Sequence, residues 1–124
     1  MARAGRSRAE AEKQGRRAET MAAWYLRLKG WRILATRLKT PRGEIDLIAR
    51  RGRTVAFVEV KHRKTAVDLD LALDKRRLQR VVAAAESVAH IYASDSDSIS
   101  IDAILVAPGH WPRHLANIWH DQMG

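Results

Sequence analysis

The chain has no cysteine, which excludes disulfide staples and cysteine-ligated metal sites and fits a reducing compartment. No apolar run approaches the roughly 18 residues that would suggest a membrane span. The N-terminal segment Met1 to Lys13 lacks the apolar stretch of a secretory signal, and Glu10 and Glu12 within it argue against a transit peptide, so a cytoplasmic location is expected. There is no serine nucleophile elbow, no Walker-type phosphate loop and no internal repeat. Acidic residues are also in short supply: 14 Asp and Glu stand against 23 Lys and Arg, for a formal net charge of +9 and a pI near 10.8. An excess of that size attracts polyanions, nucleic acid or anionic lipid, without choosing between them.

What is present suits one packed α/β domain. A length of 124 residues is enough for a single core, and 46% hydrophobic with 30% charged residues favours folding over disorder. Residues 1–6 read as a flexible basic arm and 7–124 as the domain. Ser7 with Glu10 three positions later forms a capping box that opens a helix running to about Lys29, where Gly30 can end it. Trp31 to Leu38 is a short strand, followed by a turn at Pro41, Arg42 and Gly43. Glu44 to Arg50 and Val55 to Lys61 are rich in branched apolar residues around Gly52, a hairpin signal. A second amphipathic helix spans Asp74 to about Tyr92. The polar Ser94 to Ser98 loop, a strand at Ile99 to Ala107 and a weaker strand at His114 to His120 complete the order, which predicts a mixed β-sheet flanked by helices.

The chemistry concentrates on the hairpin. Alternation puts Glu44, Asp46 and Ile48 on one face of the first strand, and Val55, Phe57, Glu59 and Lys61 on one face of the second. If Arg50 pairs with Val55 across a four-residue loop, Ile48 meets Phe57, Asp46 meets Glu59 and Glu44 meets Lys61. Two carboxylates would then oppose each other within apolar strands, an arrangement that destabilises unless something positive offsets it. Lys61 compensates two carboxylates poorly. A hard divalent ion, Mg²⁺ or Mn²⁺, held by Asp46 and Glu59 would do better, leaving Lys61 to orient an attacking water or stabilise a phosphorane-like transition state. Glu19 sits at the edge of the first helix's apolar stripe, where it either reaches the same site or is a solvated charge beside Arg16 or Lys13.

The strings G-E-I-D-L-I-A-R at 43 to 50 and V-A-F-V-E-V-K-H-R at 55 to 63, after G-R-R-A-E-T-M-A-A-W-Y-L at 15 to 26, resemble the YraN family of predicted PD-(D/E)XK endonuclease-like proteins. More distantly, the chain is similar to archaeal Holliday-junction resolvases. The likeness extends to K-R-R-L-Q-R-V-V-A-A-A at 75 to 85 and I-D-A-I-L-V at 101 to 106. It implies a restriction-endonuclease-like (PD-(D/E)XK) sheet, metal binding by Asp46 and Glu59, Lys61 as catalytic lysine and Glu19 as the helix-borne acid. Glu44 and Ile45, not proline, precede Asp46, so the first half-motif is degenerate.

Lys75, Arg76, Arg77 and Arg80 open the second helix against its macrodipole, a placement that a phosphate backbone would offset. With Arg63 and Lys64 they form the expected nucleic-acid footprint, which Arg50, Arg51 and Arg53 could extend. Asp102 is either an inward acid paired with an arginine or a neighbour of the site. Trp24, Trp31, Trp111 and Trp119 suit core or dimer packing better than base stacking. The expected activity is metal-dependent hydrolysis of phosphodiester bonds in duplex or branched DNA. The alternative is a non-catalytic nucleic-acid-binding protein that keeps a nuclease fold. The expected partner is DNA rather than a membrane, and a two-strand cut would favour a homodimer.

Overall fold

A computed structural model describes residues 8–64 and 75–119. The basic arm, the Ser7 cap, Asp74 and His120 lie outside the described residues. Helix α1 (Arg8–Leu28) leads into β1 (Arg32–Thr40), β2 (Gly43–Arg51) and β3 (Thr54–His62). Helix α2 (Lys75–Tyr92), β4 (Ser98–Val106) and a short β5 (Arg113–Leu115) follow. The strands form one sheet in the order β1-β2-β3-β4-β5. All neighbours are antiparallel except β3 and β4, which run parallel because α2 lies between them in the chain. The mixed sheet with helices agrees with the order read from the sequence. The last strand is only three residues long and ends well short of His120.

Helix α1 ends where Gly30 enters the left-handed region at φ 92°. Gly30 N–H donates to Arg27 O and Trp31 N–H to Leu26 O, each at 3.0 Å, which is the Schellman pattern, and Trp31 packs beside Leu26 to close it. Ala18, Ala22, Ala23 and Leu26 bury one stripe of α1 against Leu47, Ala49, Ala56, Val58, Ile104 and Val106. On the opposite face, Val81, Ala84, Ala85 and Val88 of α2 cover Ile48, Val55, Phe57 and Ile101. The small residues on both helices let their backbones approach the sheet closely. Strand β4 is buried from Ser100 to Val106 because both of its faces are covered.

The β2–β3 hairpin turns on Gly52 and Arg53, with Gly52 at φ 62°. That is a tighter loop than the four residues expected, but the register is the expected one, with Arg50 opposite Val55 and Ile48 opposite Phe57. Strand β1 carries a bulge between Ile33 and Ala35. A second irregularity bears on function. The β1–β2 register runs from Thr36↔Leu47 to Leu38↔Ile45 and passes over Arg37 and Asp46. Arg37 there adopts φ 51°, a conformation that costs a non-glycine residue on the order of 1–3 kcal/mol. The kink inverts the alternation: Leu47 faces α1, whereas Ile45 and Leu38, two residues along, pack on the α2 side.

Two polar clusters fasten the ends of the sheet. Arg50 does not extend a basic footprint. Its guanidinium bonds Asp97 at 2.8 and 3.2 Å, Tyr92 O at 3.3 Å and Gly52 O at 3.1 Å, joining the hairpin turn to the loop after α2. Asp102 is fully buried and its partner is a histidine, not an arginine: His114 Nε2 lies 2.7 Å away, Asn117 N–H donates at 2.9 Å and Ser100 Oγ also donates. Burial pushes the Asp102 carboxyl up, but the bonds from His114, Asn117 and Ser100 outweigh it and hold the group below its ordinary value.

Asp97 likewise sits below its ordinary 3.8, chiefly because Arg50 donates to it and secondarily through Ser94 N–H. A carboxyl depressed on folding contributes stability above its unfolded value and loses it as pH falls through the folded one. We expect Arg50→Met to lower the melting temperature at neutral pH, and the gap from the wild type to narrow as the pH falls below 3.8. A gap that stays constant down to strong acid would show that the pair contributes through packing instead of charge.

Candidate active site at the break in the sheet

The regular β2–β3 ladder ends at Leu47↔Val58, one step before the two acids. There Val60 N–H donates to Asp46 Oδ2 at 2.8 Å, so a carboxylate rather than the backbone ties the strands. Asp46 therefore occupies a gap: its β1 neighbour Arg37 is kinked away and regular pairing with β3 has stopped. The direct Asp46–Glu59 backbone pair expected from simple alternation is not among the paired residues.

Glu59 and Lys61 both point to the α2 side of β3, in line with Phe57, and both are buried. An ammonium and a carboxylate removed from water need each other. Lys61 Nζ lies 2.9 Å from Glu59 Oε2, and Arg77 Nε from α2 reaches the same oxygen at 3.4 Å. Glu19 approaches from α1 on the other face, half-buried, with Arg37 Nε 3.7 Å from its Oε1. Glu44 and Glu59 share a cavity of about 220 Å³ with Arg77 and Arg80.

Asp46 feels all of these acids. Burial pushes its carboxyl from 3.8 up to about 7, the Val60 N–H opposes that, and Glu59, Glu19 and Glu44 each push it further up. Glu19 is raised too, first by burial, with Glu44 and Glu59 adding to it against Arg37 and Arg16. The helix-borne acid is thus electrostatically part of the cluster.

The donor chemistry can be matched to an ion. Asp46 and Glu59 offer only hard oxygens, which suit Mg²⁺ or Mn²⁺, ions that need one or two carboxylates and take water or phosphate for the rest. Among the described residues there is no group of three His, Cys, Asp or Glu set to enclose an ion. A water-rich, two-carboxylate site fits these residues; a closed cage does not.

Of the expected footprint, Arg77 turns into the site, while Lys75, Arg76 and Arg80 are exposed along the start of α2. Arg63 is held by His62 O at 2.8 Å, and Lys64 is exposed beyond the end of β3. Arg37 escaped the sequence reading. Nothing in I-L-A-T-R-L at 33 to 38 marks a positive φ, and its place opposite Asp46 follows only from the bulged pairing of β1 with β2.

The sequence model of a family described as "Uncharacterised protein family UPF0102" matches residues 18–106, a span that holds Glu19, Asp46, Glu59 and Lys61. The chain is 62% identical over 109 residues to a UPF0102 protein of Erythrobacter litoralis, covering 88% of this chain and 94% of that one. A UPF0102 protein of Sphingopyxis alaskensis is 60% identical over 113 residues, covering 91% and 97% of the two chains. One from Rhizorhabdus wittichii is 56% identical over 115 residues, covering 93% and 98%.

A carboxyl raised on folding stabilises the fold fully below its unfolded value of 3.8 and loses that contribution as pH rises through about 7. In metal-free buffer Asp46→Asn, which keeps an acceptor for Val60 N–H, should be more stable than the wild type near pH 8 by on the order of 1–3 kcal/mol, with a clearly smaller margin near pH 5, where only the first part of the loss above 3.8 has occurred. Thermal melts at the two pH values check this. A variant less stable than the wild type at both would contradict the crowding of acids around Asp46.

Proposed function

The chain belongs to the uncharacterised protein family UPF0102, and from that footing we propose that it is a metal-dependent nuclease hydrolysing phosphodiester bonds in duplex or branched DNA. The observation that carries the reading is the desolvated Asp46 carboxyl at a break in the sheet, bonded to Val60 N–H and in the field of Glu59 and Glu19, with Lys61 buried 2.9 Å from Glu59. The reading includes a restriction-endonuclease-like (PD-(D/E)XK) core, for which the mixed sheet and the acid-bearing hairpin are the support. No helix of the described residues is long and apolar enough to cross a membrane, and a cytoplasmic location is part of the proposal.

Asp46 and Glu59 would hold Mg²⁺ or Mn²⁺ and Glu19 would add negative charge beside it. When bound, the ion polarises a phosphate oxygen and lowers the pKa of a coordinated water. Lys61, buried beside Glu59, would offer its ammonium to the charge developing on phosphorus. Arg77 and Arg80, at the mouth of the cavity shared with Glu59, would receive the phosphate backbone, and Lys75, Arg76, Arg63 and Lys64 would extend that contact.

One observation favours a second reading, a nucleic-acid-binding protein without turnover: Lys61 and Arg77 already offset the Glu59 charge within the chain. The two readings separate on incubation with branched, flapped and linear DNA in Mg²⁺ or Mn²⁺. The nuclease reading expects cleavage that chelator abolishes and that Asp46→Ala, Glu59→Ala or Lys61→Ala each reduce by on the order of a hundredfold or more, the scale of losing one transition-state group. Cleavage that survives both Asp46→Ala and Lys61→Ala would sink it. Binding without cleavage, and without calorimetric heat on Mn²⁺ titration, would leave the second reading.

A further inference from the structure

Helix α1 buries Ala18, Ala22 and Leu26 and presents a quite different stripe outward. Met21, Trp24 and Leu28 follow one another at helical spacing and stand 51%, 59% and 72% exposed. Trp111, in the loop between β4 and β5, is 78% exposed and lies beside Tyr25 with ring centroids 6.4 Å apart. Large aromatic surfaces left in water on a small protein mark a contact site. Trp31, by contrast, is core.

The charges around these rings indicate the occupant. Arg27 lies over the Trp24 ring at 5.7 Å and Lys29 over the Tyr25 ring at 5.0 Å. Along the helix, Trp24 and Met21 close one end of a groove of about 540 Å³ whose other walls are Lys13, Arg16, Arg17 and Thr20. Glu10 and Glu12 lie beyond it in the first turns. A second copy docking here would set this basic rim against itself, and like charges across an interface are unfavourable. A ligand with flat apolar faces strung on an anionic backbone satisfies both features, which is the chemistry of unpaired nucleotides. The groove also leads to the candidate site: Arg16 and Thr20 line it and line the neighbouring cavity of about 210 Å³ that contains Glu19 and Arg37.

We propose that the outward face of α1 is a docking track for single-stranded nucleic acid, in which Trp24 and Trp111 stack unpaired bases and Lys13, Arg16, Arg17 and Arg27 follow the backbone toward Glu19. The inference rests on the nucleic-acid reading above and narrows its substrate class to DNA with a single-stranded branch, such as a flap or fork. Blunt duplex hides its base faces and has nothing to offer the two rings.

The test uses the full chain in EDTA, where cleavage is off, titrated with oligothymidylate and with a blunt duplex while tryptophan fluorescence and the anisotropy of labelled DNA are followed. Oligothymidylate should quench the tryptophans. Trp24→Ala and Trp111→Ala should each weaken its binding by on the order of tenfold, Trp24→Phe should retain most of it, and duplex affinity should stay unchanged. Both rings are exposed, so the variants should melt like the wild type. Alanine variants that bind oligothymidylate as the wild type does would overturn the proposal. So would a sedimenting dimer that Trp24→Asp dissolves with no loss of single-strand binding. A failure of cleavage on every substrate, with the stacking signature intact, would sink the nuclease reading alone. Equal cleavage of flapped and blunt DNA by the tryptophan variants and the wild type would sink this inference alone.

Discussion

The hydrogen bond from Val60 N–H to the Asp46 carboxylate is the constraint on which the site depends. A regular sheet would pair Asp46 with backbone on both sides and leave its side chain on one face. Here Arg37 is kinked to positive φ on one side, the β3 ladder stops on the other, and a carboxylate spans the gap. The same break turns Ile45 and Leu38 toward α2, which keeps the core apolar while an acid stands in the middle of the sheet. Strain at Arg37 and desolvation at Asp46 are both unfavourable, and the packing of two helices across the sheet has to hold them in place. Local strain of this kind concentrates where a fold does chemistry.

Charge is sorted in the fold according to work. Arg50 and Arg51 strengthen the scaffold, the first through Asp97 and the second over the Trp31 ring at 4.7 Å. Arg37 and Arg77 face the acids, from β1 and α2 respectively. The cations at the start of α2 and along the outside of α1 remain at the surface. A net +9 thus surrounds a small, locally acidic and desolvated centre. In the proposed function a polyanion would be drawn to the surface by the long-range field, and a cation would offset the charge at the centre.

The hairpin register was legible because Ile48, Val55 and Phe57 alternate strictly and Gly52 marks the turn, so the apolar face leaves only one pairing. The end of helix α1 was legible to within one residue, Leu28 against the expected Lys29, since Gly30 supplies the left-handed stop. Three features were not. Arg37 has no turn propensity, and its kink is imposed by how β1 lies on β2. The Arg50–Asp97 and Asp102–His114 pairs join residues far apart in sequence, and no local pattern chooses a partner for a buried acid. The four tryptophans look alike in the sequence, yet Trp31 is core while Trp24 and Trp111 stand in water. Which side of an amphipathic helix a tryptophan edges onto is decided by the sheet beneath it.

In the proposed function the gap at Asp46 is a place for a cation. The most direct measurement is a crystal soaked in Mn²⁺ and recorded at an energy where manganese scatters anomalously. The predicted result is an anomalous peak between the carboxylates of Asp46 and Glu59, with Lys61 Nζ moved away from its 2.9 Å contact with Glu59. A map with no peak there and the Glu59–Lys61 pair unchanged would contradict it.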